Sequence, residues 1–71
     1  MMYNEFKAIA ETCTTLEQLK NALDTAGVRS VLVNADNEIW TGREVTYGIV
    51  SYFERWTATE DNGKITTCFI G

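Results

Sequence analysis

The sequence predicts an α+β domain in which an N-terminal helical hairpin packs on a four-stranded antiparallel sheet, in the order ααββββ. Three observations lead there. Apolar residues recur at helical spacing as far as Gly27. From residue 30 onward, β-branched and aromatic residues dominate. Asn62-Gly63, the strongest two-residue hairpin signal, separates two runs whose residues complement each other. Helices in one block and strands in another imply a helix layer on a sheet layer. The 71 residues amount to one domain. A chain this short buries only about 60% of the surface its unfolded form exposes, so its core is economical.

In the first helix, over 2–12, Met2, Phe6, Ile9 and Cys13 fall on one face with Ala10 beside them, while Glu5, Lys7 and Glu11 fall outside it. A second helix begins at Thr14-Thr15-Leu16-Glu17-Gln18. There either Thr14 with Glu17 or Thr15 with Gln18 fits a capping box. Leu16, Leu19, Leu23 and Ala26 carry its apolar stripe, and Gly27 supplies the left-handed residue that ends it. Glu17, Lys20 and Asp24 on the outer face partly compensate one another.

Val31-Leu32-Val33 and Glu38-Ile39-Trp40-Thr41 read as a β-hairpin turning at Asp36-Asn37, with Gly42 separating it from the next segment. Residues 44–59 carry two patterns. Val45, Ile49, Tyr52, Phe53 and Trp56 fit a helical stripe, and Thr41 with Glu44 fits a cap, so residues 43–56 have a helical alternative. Strand is favoured, for three reasons. Gly48 in mid-segment costs a helix about 1 kcal/mol relative to Ala. The β-branched and aromatic density is high. The segment also runs directly into Asn62-Gly63. Counting outward from that turn pairs Asp61 with Lys64, Thr59 with Thr66, Thr57 with Cys68 and Trp56 with Phe69, all favourable or neutral cross-strand partners.

Composition narrows the function by exclusion. The net charge is −4 and the six bases are scattered singly, which argues against direct nucleic-acid binding and against an anionic membrane surface. No apolar run is long enough to span a bilayer, and charges interrupt any leader-like stretch at the N-terminus. With two cysteines, Cys13 and Cys68, the chain reads as cytoplasmic with reduced thiols that behave as small hydrophobes. A single Cys13–Cys68 bridge stays open as the alternative. There is no histidine, which removes the commonest general base and zinc ligand. No glycine-rich phosphate loop is present, and Asp36-Asn37-Glu38 lacks the spacing of a calcium loop. Glu60-Asp61 read as a solvated hairpin tip. No catalytic, metal-binding or cofactor-binding residue set emerges, and no motif is specific enough to assign a family.

The surplus is aromatic. Trp40, Tyr47, Tyr52, Phe53, Trp56 and Phe69 all fall in the expected sheet. Along 45–58, Tyr47, Ile49 and Phe53 share one parity and Val50, Tyr52 and Trp56 the other. A sheet covered by one helix layer has a single buried face, so one set is left exposed unless a β-bulge near Gly48 switches parity. The expected protein-binding residues are Tyr52 and Trp56, with Glu54 and Arg55 as orienting charges at the rim and Trp40 nearby. These features imply a small acidic protein-binding module, not an enzyme: an inhibitor, adaptor or accessory subunit. One version is a phage-type or mobile-element-type inhibitor whose carboxylates occupy a basic site on its target. The partner is another protein, or a second copy in a homodimer. A self-assembling structural protein is the alternative, and a small-ligand binder or enzyme the third class.

Overall fold

The computed structural model describes residues Met1–Gly71. Its elements are α1 (Tyr3–Glu11), α2 (Leu16–Thr25), β1 (Val31–Val33), β2 (Glu38–Tyr47), β3 (Val50–Asp61) and β4 (Lys64–Phe69). The strands form one antiparallel sheet in the order β1-β2-β3-β4, so the ααββββ architecture is as the sequence implies. No helix is long and apolar enough to cross a membrane.

Local chemistry sets each helix end. Glu5 accepts a hydrogen bond from the Met2 amide at 3.0 Å, opening α1. Of the two capping boxes compatible with the sequence, the one at Thr15 forms in half: the Thr15 hydroxyl accepts from the Gln18 amide at 3.2 Å, but the Gln18 side chain takes the Thr14 amide at 2.9 Å instead of that of Thr15. At the other end, Val28 N–H reaches Leu23 C=O at 2.9 Å and Gly27 N–H reaches Asp24 C=O at 3.0 Å, a Schellman closure. Lys20 and Asp24 pair at 2.7 Å across one exposed turn.

The core comprises Phe6, Ala10, Leu16, Leu19, Leu23, Ile39, Trp56 and Ala58. Tyr3, and not the exposed Met2, continues the α1 stripe. Its hydroxyl lies 3.0 Å from Thr67 Oγ1, and its ring meets Trp56 and Phe69 edge-on at centroid distances of 5.9 and 5.4 Å. Phe6 stacks on Trp56 at 5.5 Å. Each such pair adds about 0.5–1.5 kcal/mol beyond area burial. A further tie comes from Glu60, whose carboxylate accepts the Leu16 amide at 3.0 Å at the N-terminus of α2. Glu60 is therefore a helix cap reaching from the sheet, not part of a solvated hairpin tip.

The sheet departs from expectation between residues 42 and 50. The 44–59 stretch is neither a helix nor one strand. It is the end of β2, a two-residue turn at Gly48-Ile49, and β3. Gly48 has φ +62° and Ile49 is not left-handed, the signature of a II′ hairpin, which needs positive φ at its first central residue only. No bulge interrupts the ladder, which runs from Glu38↔Thr59 to Tyr47↔Val50 without a skipped residue. Gly42 lies inside β2, opposite Arg55, instead of dividing two segments. A Cβ there would overlap the Glu54 carbonyl and sit 2.8 Å from Phe53 Cε2, so the strands approach too closely for any side chain. The first hairpin also turns differently. A 3-10 turn spans Asn34–Asp36 and only Asn37 is left-handed, its side chain donating to Glu60 C=O at 2.7 Å. The register around Asn62-Gly63 is the counted one, residue for residue.

Two substitutions test this packing. Leu19→Ala is expected to cost about 2–5 kcal/mol in urea titration, the range for removing a buried Leu side chain. A loss below about 1 kcal/mol would mean that α2 does not bury this face. Gly42→Ala is expected to cost at least about 1–3 kcal/mol by the same measure, because backbone and not a flexible side chain must give way. An unchanged midpoint would contradict the close approach of β2 and β3.

Candidate functional site: a projecting hairpin arm

Strand parity and helix length together decide what stays exposed. The residues on the helix side of β2 and β3 include Ile39, Thr41, Arg43, Val45 and Tyr47 on one strand, and Ala58, Trp56, Glu54, Tyr52 and Val50 on the other. The helices, of 9 and 10 residues, are about 15 Å long, whereas the 12-residue β3 spans about 40 Å. The molecule is accordingly 42 Å along its longest axis and 22 Å along the next. Coverage ends near Trp56. Beyond it, the β2–β3 hairpin projects as a two-stranded arm.

An ion pair marks the boundary. Glu54 is 8% exposed and accepts from Trp56 Nε1 at 2.9 Å and from Arg43 Nε at 3.2 Å. Arg43 and Glu54 are direct cross-strand partners. Outward of this pair, the helix-side face of the arm carries Val45, Tyr47, Val50 and Tyr52, with Ile49 at the tip. Tyr47 is 82% exposed, Tyr52 51%, Val50 60%, and Ile49 wholly so. Residues 45–53 carry no charge. The opposite face of the arm is more polar: Thr46 and Ser51 hydroxyls lie 3.3 Å apart, beside Glu44, and its one exposed aromatic is Phe53, the cross-strand partner of Glu44. Both arm edges are open, since β1 pairs with β2 only as far as Trp40 and β4 pairs with β3 only from Trp56.

The five residues expected at a protein-binding surface are therefore not brought together. Tyr52 lies on the bare arm. Trp56 shares its face, as parity requires, but is fully buried under α1 and belongs to the core. Glu54 is not an orienting rim charge; its carboxylate is consumed by Trp56 and Arg43. Trp40 and Arg55 point to the helix-free side of the sheet, flanking the Thr57 and Gly42 positions respectively. Together with Val31 and Phe53 they form a second exposed set. Spacing alone does not single out Tyr47, Val50 and Ile49 as binding residues, because Gly48 and Ile49 read as mid-strand. A signal is nonetheless present: a glycine followed by a β-branched residue between two runs of alternating polarity fits a II′ hairpin.

Neither cysteine joins this surface. Cys13 is half-buried at the end of α1, its thiol 3.4 Å from the Ile9 carbonyl. Cys68 is exposed on the helix-free side, level with Thr57, and so is not the buried hydrophobe expected of it. No group of His, Cys, Asp or Glu residues could hold a metal ion. No protein-family model, curated protein or solved structure matches this chain, so the arm's own geometry is what bears on its function.

Proposed function

We propose that this chain acts by binding another protein through the helix-side face of its projecting arm, as an inhibitor, adaptor or accessory subunit. The observation that carries the reading is the run of Val45, Tyr47, Val50 and Tyr52, apolar and aromatic, lying outside the reach of both helices. Each large side chain left in water forgoes roughly 1.5–3 kcal/mol of burial. A contiguous strip of them is the feature that marks interaction surfaces on small proteins. Tyr is also among the types enriched at binding hot spots, because its ring buries area while its hydroxyl stays hydrated. A reducing, cytoplasmic setting suits the two unpaired thiols.

The open edges of the arm favour a second reading, in which the partner is another copy of the chain. An uncharged ribbon with unpaired N–H and C=O groups on both sides is a template for strand addition. The four exposed side chains, two tyrosines at roughly 150 Å² each and Ile49 and Val50 at roughly 100 Å² each, give about 500 Å² per copy, or about 1,000 Å² for a pair, the lower limit for a specific interface.

The test is the pair of substitutions Tyr47→Ser and Tyr52→Ser, both outside the core. Circular dichroism and melting should change little, as surface positions usually contribute within about 0.5 kcal/mol. Light scattering across a concentration series, and retention of host proteins on immobilised chain, should both be compared with the unmodified protein. Association of either kind that is present in the parent and lost in the double variant supports the arm. A monomeric mass in both, with identical retained proteins, would overturn it.

A further inference from the structure

On the helix-free side of the sheet, Arg29, Ser30, Val31, Trp40, Phe53 and Arg55 surround the bare backbone of Gly42 in a groove of about 270 Å³. From this groove we infer a second binding site, for a small carboxylate carried on a ring-sized apolar body. Two independent observations support it. First, Val31, Trp40 and Phe53 supply apolar walls, and the floor exists because Gly42 has no side chain. Second, Lys20 and Arg43 are taken up in salt bridges, whereas Arg29 and Arg55 have no carboxylate partner and both line this groove. No acidic residue lines it.

The chemistry of the lining selects the ligand class. Guanidinium groups bind carboxylates through paired, charge-assisted hydrogen bonds, and two of them above apolar walls call for an anion with an apolar body. The net charge of −4 opposes any anion, and Glu44 stands near the groove opposite Phe53, but charges beyond about 8 Å are screened at physiological salt and the lining itself holds two arginines and no acid. The size selects further. The groove lies just below the usual 300–1,000 Å³ of sites for drug-sized ligands, room for one ring and its acid group and not for a length of peptide. The groove stands apart from the arm's role, since its test spares Tyr47 and Tyr52.

The experiment is titration of the ¹⁵N-labelled protein with phenylacetate, with 2-phenylethanol as a neutral analogue of similar size. Saturable shifts are expected at the amides of Ser30, Val31, Gly42 and Phe53 and at the Trp40 indole, with a Kd of about 1 mM or below for a ligand of this size. The alcohol should bind about tenfold more weakly or worse, and so should phenylacetate to the Arg29→Gln/Arg55→Gln variant. Absence of saturable shifts in the parent, or equal binding of acid and alcohol, would overturn the site. The comparison of acid with alcohol needs no variant, so a misfolded double mutant leaves it intact. A tripeptide ending in Phe that binds at least as tightly as phenylacetate would overturn the assignment to a free acid.

Discussion

The structure depends on a mismatch of lengths. Two helices of three turns or fewer are laid across a hairpin more than twice as long. Helical rise is less than half that of a strand, so helices of 9 and 10 residues can never cover strands of 10 and 12. The core therefore gathers where the helices are, around Trp56, Phe6 and Leu19, and the rest of the hairpin must be stable as a ribbon. Two-stranded ribbons are marginal in water on their own. This one is anchored at its base by the sheet and the Arg43–Glu54 pair, and closed at its tip by a turn of matched twist.

Glu54 shows how the two regions meet. A carboxylate at the rim of an apolar core is costly unless its oxygens are occupied, and here one oxygen takes both the indole N–H and the guanidinium. The same contact satisfies the only polar atom of the Trp56 side chain, which lets the largest core residue be fully buried. Core, ion pair and arm thus lie in sequence along one face, each fixing the boundary of the next.

Much of this is legible in the residues. The helix stripes, the strand count and the register around Asn62-Gly63 derive from periodicity and turn chemistry, which act over neighbouring positions. Parity is legible too: Tyr52 and Trp56 do share a face. What periodicity lacks is position along the strand relative to a layer packed across it. That alone puts Trp56 in the core and Tyr52 in water. The Gly48-Ile49 turn is hidden by the β-branched density on both sides of it, which makes two strands resemble one. Glu60 escapes because its partner at Leu16 is 44 residues away. Gly42 escapes because a close approach between strands leaves no local mark beyond the glycine itself.

The bond from Glu60 to Leu16 has a consequence for how the chain reaches this structure. Isolated helices of ten residues are unstable in water, since nucleation is unfavourable and few turns come after to offset it. The first turn of α2 receives a cap that exists only once β3 is in place, and the Asn37 side chain donates to that same residue's carbonyl. The helical hairpin, though synthesised first, is thereby completed by the strands made after it. Closing so long a loop before the helix is secured raises the contact order of the fold and ties its two layers into a single cooperative step.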